Sequence, residues 1–174
     1  MQLETPRLKL RHWRVSDEDN FAALHSDPDV NADLGGPFSR DTSDKKLKRY
    51  IQAQTEQGYS RWLIENKAKV FLGYAGIMPV INEHPLGAHN EIGWRLNRNA
   101  WGHGYASEAA RAALEDGFDR LGLTEVLSYT AKTNIRSQSV MKRIGMVRDE
   151  TRDFAVYYKG YGDWQGIVWA LAAK

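Results

Sequence analysis

The sequence contains no cysteine among its 174 residues. Disulfide bonds, a cysteine nucleophile and thiolate metal ligands are therefore excluded. The sequence also lacks an apolar run long enough to cross a membrane or to form a signal peptide, so we expect no membrane partner and a cytoplasmic location. A formal net charge of +2 is too small to indicate a polyanionic partner, and we expect no binding of nucleic acid.

Two nucleotide-binding fingerprints are missing as well. The Gly-Lys-Ser/Thr ending of a Walker P-loop does not occur. A Rossmann fingerprint would place its third small residue at Ser107, but no acidic residue follows at the end of a downstream strand. His84 and His89 have no third ligand at a useful spacing, so we predict no metal site.

The residues that are present are typical of one globular domain. Hydrophobic residues make up 42% of the chain and charged residues 26%, without a repeat or a linker. We therefore predict a single α/β domain over residues 1–174. Periodicity predicts helices from Ser16, over 42–57, after residue 104 and up to Gly145, and strands at residues 8–13, 61–65, 71–80, 90–96, 126–131, 147–153 and 167–171.

The most informative segment is a glycine loop, Trp101-Gly102-His103-Gly104, that leads directly into an Ala-rich amphipathic helix. Glycine lets the backbone turn tightly and approach a ligand closely. The first N–H groups of a helix have no intrahelical partner, and the helix dipole adds positive charge there. This layout predicts a site for an anion such as a pyrophosphate. Taken alone, a Gly-x-Gly before a helix is alternatively only a turn.

These motifs resemble the GNAT superfamily of acyl-CoA-dependent N-acetyltransferases, in its RimJ/RimL-like (ribosomal-protein-alanine acetyltransferase-like) branch. The resemblance is strongest over residues 91–146: the strand 91–96, the loop 101–109, and an Asn134-x-x-Ser137 helix start that ends in Gly145-Met146. The amino end, Glu4-Thr5-Pro6-Arg7-Leu8, matches too. The resemblance implies an α/β (α+β) fold whose mixed, mostly antiparallel sheet has about six to seven strands flanked by about four helices.

The resemblance also implies direct transfer of an acetyl group from acetyl-CoA, as co-substrate, to a primary amine. It assigns acetyl-CoA binding to the strand before the loop, the loop itself and the second helix start, namely Trp94, Leu96, Trp101, Gly102, His103, Gly104, Tyr105, Ala106, Asn134 and Ser137. Asn134 is alternatively a helix N-cap.

Two residues are candidates for proton transfer. Glu91 is the candidate base, acting through a water, and is alternatively a surface glutamate on an alternating strand. Many relatives carry a tyrosine as the acid four residues before the closing glycine, where this chain has Met141. Ser137 or a nearby tyrosine is the candidate substitute, and Ser137 is alternatively a residue that bonds the free N–H groups of its helix.

The acceptor is a protein N-terminal α-amine or a small-molecule amine, which fold and family do not distinguish. We expect its site between residues 31–38, the early helices and the C-terminal strands. Candidate side chains there are Asp29, Asp33, Asp163, Tyr157, Tyr158, Tyr161 and Trp164. A catalytically silent acyl-CoA-binding or sensor protein is the alternative function, and the chain is expected to be a monomer or a homodimer.

Overall fold

The structure, a computed structural model, describes residues 1–81, 83–158 and 162–174. In these ranges it has nine strands and five α-helices. In chain order they are β1 (Gln2–Glu4), β2 (Leu8–Arg11), α1 (Glu18–Ser26), α2 (Pro28–Asn31), α3 (Arg40–Gln57), β3 (Trp62–Asn66), β4 (Phe71–Val80), β5 (His89–Leu96), α4 (Tyr105–Asp119), β6 (Glu125–Ala131), α5 (Ile135–Arg143), β7 (Val147–Arg148), β8 (Phe154–Tyr158) and β9 (Gly162–Ala172).

All nine strands lie in one sheet with the order β1-β2-β3-β4-β5-β6-β9-β7, and β8 pairs with β9. Every pairing is antiparallel except that of β5 with β6. The predicted mixed, mostly antiparallel fold is confirmed. The numbers of strands and helices are both higher than predicted, because short elements at the amino end and near the carboxyl end were not recognised.

The largest difference lies at the predicted strand 147–153. The strand β7 ends at Arg148, since a 3-10 turn follows over Glu150–Arg152. The Asp149 side chain caps this turn by accepting a hydrogen bond from the Thr151 N–H. A separate strand, β8, then begins at Phe154, and the chain returns as β9.

Helices cover both faces of the sheet. Successive strand residues point to opposite faces, and two neighbouring positions of β3 separate the two cores. Ile64 belongs to the core that contains the α4 residues Ala109 and Ala113. Leu63 belongs to the core that contains Leu47 of α3. The sheet therefore lies between α4 on one side and α1 with α3 on the other.

The strands β5 and β6 separate towards their carboxyl ends. Within the described residues they pair only at Glu91 and Leu127. The Asn97 N–H donates to the Leu72 carbonyl at 2.9 Å, so these two residues form a hydrogen-bonded pair that continues the antiparallel β4–β5 ladder. Because hydrogen-bonded and non-hydrogen-bonded pairs alternate, the backbone groups of Trp94 and Leu96 point away from β4 and into the gap beside β6.

We predict that Gly73→Ala destabilises the fold strongly. The φ angle of Gly73 is +138°, and an added Cβ would lie 2.2 Å from the Arg95 carbonyl oxygen on the adjacent strand. Gly87→Ala is the matched control, since Gly87 also has positive φ but has nothing within 4 Å. Urea unfolding should show a loss of about 3 kcal/mol or more for Gly73→Ala and about 1 kcal/mol for Gly87→Ala. Equal losses would contradict this account of the β4–β5 contact.

The fully buried ring of His25 predicts a pH dependence of stability. Burial, with Arg95 and Lys46 nearby, lowers the pKa of His25 to about 3. In the unfolded chain the pKa is about 6.5. Between these values only the unfolded state binds the proton. The free energy of unfolding should therefore fall by about 1.4 kcal/mol per pH unit below pH ~6.5.

Urea unfolding of the wild type and of His25→Phe at pH 7, 6 and 5 isolates this contribution, because the carboxylates titrate alike in both. The variant should have the flatter profile. Parallel profiles would show that His25 accepts a proton in the folded state.

Candidate functional site

A cavity of about 720 Å³ opens beside the end of β5, beyond the point where β5 pairs with β6. The end of β5, the glycine loop and the starts of α4 and α5 form its walls. The structure thus brings together segments that the sequence places far apart. Of the residues predicted to bind acetyl-CoA, all except His103 line the cavity in the described part of the chain. The ring of His103 stacks instead on Tyr105, with centroids 5.4 Å apart.

The glycine loop forms the cradle at the start of α4. Gly102 and Gly104 have φ angles of +79° and +78°, a left-handed conformation that other residues rarely adopt. The carbonyl of Gly104 accepts the first helical hydrogen bond, from Glu108 N–H. The N–H groups of Tyr105, Ala106 and Ser107 precede this bond and have no intrahelical partner. These residues line the cavity, so the helix start can donate hydrogen bonds to an anion there.

A clamp from the amino end holds the cradle in place. The Glu108 carboxylate accepts hydrogen bonds from the Thr5 hydroxyl at 2.6 Å and from the Arg7 backbone N–H at 3.1 Å. The Arg7 guanidinium donates to the same carboxylate and, at 2.9 Å, to the His103 carbonyl. Burial alone would raise the pKa of Glu108, but these hydrogen bonds outweigh burial and lower it. The clamp gives the Thr-Pro-Arg-Leu motif a structural role that sequence reasoning did not assign.

The second helix start has a capped geometry. Asn134 is buried, and its Oδ1 accepts a hydrogen bond from the Ser137 N–H at 3.1 Å, so the predicted N-cap is confirmed. Asn134 and Ser137 both line the cavity. Met141 is 1% exposed and packs in the core shared with α4.

Comparison with known proteins decides the family. Residues 7–147 match the family model described as "Acetyltransferase (GNAT) domain". The chain belongs to this family. It is an acetyl-CoA-dependent N-acetyltransferase, as the sequence motifs predicted.

Relatives agree with this assignment. The chain is 34% identical over 168 residues to "Uncharacterized protein YkkB" of Bacillus subtilis, covering 90% of this chain and 94% of that protein. It is 30% identical over 156 residues to "FsC-acetyl coenzyme A-N(2)-transacetylase" of Aspergillus fumigatus, covering 86% of this chain and 66% of that protein. Its fold is similar to that of the RimL ribosomal L7/L12 alpha-N-protein acetyltransferase in complex with coenzyme A, with a TM-score of 0.74, 17% identity and coverage of 99% and 98%.

Five arginines add positive charge around the acetyltransferase cleft, a feature not predicted from the sequence. The cavity is lined by Arg7, Arg95, Arg111, Arg136 and Arg143. The Arg136 guanidinium lies 4.0 Å from the centroid of the Trp101 ring and donates to Asp33 at 2.8 Å. The five arginines come from four separate segments, since only Arg136 and Arg143 share a helix, so no local cluster in the sequence could have identified them.

The candidate base Glu91 is tied to an arginine. Arg61 donates to its Oε2 at 2.6 Å, and the Glu91 side chain is only 19% exposed. Gly93 makes room for this pair, because a Cβ at that position would lie 1.9 Å from Arg61 Nη1. Glu91 is therefore not a freely solvated surface carboxylate. In the described ranges it also does not line the cavity, and its catalytic role stays a prediction.

The predicted acceptor residues are dispersed. Asp33 is paired with Arg136, and Asp29 lies 3.7 Å from Arg98. Tyr157 is 71% exposed and lies outside the cavity walls. Tyr161 and the Tyr158 side chain lie outside the described residues.

Among the described residues, no group of three or more His, Asp or Glu side chains is arranged to hold a metal ion. Likewise, none of the helices described is long and apolar enough to cross a membrane.

Proposed function

We propose that this protein binds acetyl-CoA in the cleft between β5 and β6 and transfers the acetyl group by direct attack of a primary amine. The observation that carries the proposal is the row of unpartnered N–H groups at the start of α4, which faces that cleft. The pyrophosphate would accept these hydrogen bonds. The arginines along the cleft would add charge, and Asn134 would bond the pantetheine arm.

The backbone of β5 supplies donors for the reacting thioester. The backbone groups of Trp94 and Leu96 point into the gap. The Leu96 carbonyl already accepts a hydrogen bond from the Trp101 indole at 3.0 Å. The Trp94 N–H is then suited to stabilise the oxyanion of the tetrahedral intermediate, because it is held by a rigid strand.

Proton transfer completes the proposed reaction. A lysine amine with a pKa of about 10.4 is mostly protonated at neutral pH, whereas an α-amine near 8 is only partly protonated. Glu91, through a water, would accept the proton of the attacking amine. The leaving thiolate needs only a weak acid, and the Ser137 hydroxyl on the cavity wall is the candidate.

For each of the two classes of acceptor, one protein similar to this chain is described as acting on it. RimL is described as acting on a protein α-amine, and the Aspergillus relative is described as an N(2)-transacetylase for FsC. We propose that the acceptor is a protein N-terminal α-amine or a small-molecule amine, and that the reaction takes place in the cytoplasm.

The buried Met141 takes no part in the proposed proton transfer, because a thioether cannot donate the proton that the tyrosine of related enzymes supplies.

Thiol release from acetyl-CoA tests the proposed reaction and identifies the class of acceptor. The panel consists of N-terminal peptides, amino acids, polyamines and aminoglycosides, with acetyl-CoA binding measured by calorimetry. Turnover with one class identifies the acceptor. Binding without turnover would show that the acceptor lies outside the panel, and absence of binding contradicts the proposal.

We predict that Gly104→Val weakens acetyl-CoA binding by about 10- to 100-fold, because a β-branched residue at φ +78° distorts the cradle and its hydrogen bonds. Gly122→Val is the control, since Gly122 also has positive φ but follows the other end of α4. Calorimetry should give the control variant the same Kd for acetyl-CoA as the wild type. If Gly104→Val also has the wild-type Kd, the glycine loop does not form the proposed anion site.

A pair of variants tests Glu91. Glu91→Gln should remove the acidic limb of the pH–rate profile. Arg61→Met keeps the carboxylate but removes its ion-pair partner, so it should keep the acidic limb that Glu91→Gln loses. If both variants lower Tm and neither changes the shape of the profile, Glu91 only stabilises the fold.

A further inference from the structure

Three basic side chains lie close together on the α3 side of the sheet. Lys46, Arg61 and Arg95 are connected through aromatic rings, and we call them the cationic cluster. Arg61 and Lys46 lie 5.9 and 6.0 Å from the Tyr50 centroid. Lys46 and Arg95 lie 5.2 and 5.4 Å from the Phe38 centroid. The cluster therefore runs from β3 across α3 to the end of β5.

The charge of the cationic cluster is not balanced within the described part of the chain. Arg61 is paired with Glu91. Arg95 and Lys46 form no ion pair there, although Arg95 is only 7% exposed. Two nitrogens of the Arg95 guanidinium, Nε and Nη1, are buried without a hydrogen-bond partner. An unpaired buried charge is costly, so this arrangement indicates a site prepared for an anion.

The pKa values of Tyr74 and Lys46 reflect this buried, positively charged environment. Burial alone would raise the pKa of the Tyr74 phenol, but the cationic cluster outweighs burial and lowers it. Burial lowers the pKa of Lys46 to about 8, which leaves its ammonium mostly protonated at neutral pH. Arg95 and Lys46 therefore both carry a positive charge when an anion approaches.

The site borders the acetyltransferase cleft on the side away from the cradle. Arg95 contributes to the cavity lining. It alternates along β5 with Trp94 and Leu96, so its side chain leaves the sheet on the α3 face, whereas α4 covers the other face. Phe38 follows the loop after α2, where we expect the acceptor.

We propose that Arg95 and Lys46 bind a carboxylate of the acceptor, so that the preferred acceptor is a primary amine that carries a carboxylate. This inference rests on the proposed function. A guanidinium matches a carboxylate with two parallel hydrogen bonds, and Lys46 adds a point charge from α3. The phosphates of acetyl-CoA belong to the cradle on the opposite face.

Matched acceptors test the proposal. Thiol release is measured for amino acids against their carboxamides, and for peptides with an acidic second residue against their Gln or Asn counterparts. The wild type should prefer the carboxylate by roughly 10- to 100-fold in kcat/KM. Arg95→Gln should remove this preference, and Arg95→Lys should restore part of it. Lys46→Gln should reduce it.

The control is Arg120→Gln, which removes an arginine paired with Asp116 far from the cleft and should keep the full preference. Equal kcat/KM for acids and amides, a preference for amines that carry a phosphate, or a preference that survives Arg95→Gln would each overturn the proposal. Tm of each variant shows whether the fold is intact.

Calorimetry of the same acids and amides, with and without CoA, gives a readout that needs no turnover. Binding of an acid that is lost in Arg95→Gln supports the site, and equal heats for acid and amide overturn it. Absence of acetyl-CoA binding contradicts the proposed function itself. Acetylation of amines without a carboxylate preference contradicts only the Arg95 site.

Discussion

The divergence of β5 and β6 is the constraint on which the rest of the site depends. Two adjacent strands can separate without loss of stability only if each is held from its other side. Here β5 is paired along its length with β4, and β6 is paired along its length with β9. Those antiparallel ladders satisfy the backbone groups on the outer sides, so the inner groups at Trp94 can remain available to a ligand. The cleft is thus a property of the strand order as much as of any side chain.

Alternate residues of β5 point to opposite faces of the sheet. The groups proposed to contact acetyl-CoA and those proposed to contact the acceptor therefore lie on different faces. Trp94 and Leu96 belong with the face that α4 covers, where the cradle offers N–H groups and a helix dipole. Glu91, Gly93 and Arg95 belong with the face that α3 covers. In the proposed reaction, one strand would therefore present backbone donors to the thioester and, on its other face, charged side chains to the acceptor. Such a division would keep the two substrates apart until the amine reaches the carbonyl.

Local patterns predicted the elements whose stability is local. The strand β4 was predicted at its observed bounds because residues 71–80 form a run without a charged side chain, and the glycine loop was recognised because glycine readily adopts positive φ angles. Contacts between distant segments could not be predicted. The bonds from Thr5 and Arg7 to Glu108 join residues about a hundred positions apart. The pairing of Arg61 with Glu91 depends on the register across β4, which no periodicity encodes. The turn at Asp149 was missed because a single side-chain cap ends the strand.

Charge along one face of β5 differs between its two ends. The Glu91 carboxylate is paired with Arg61, and Gly93 lets the guanidinium lie directly over the strand. At that end two partly buried charges of opposite sign balance each other. Four residues after Glu91, Arg95 is buried but has no carboxylate partner in the described chain. Because a fold gains nothing from an unsatisfied guanidinium, the difference between the two ends is best explained by a partner that the acceptor brings.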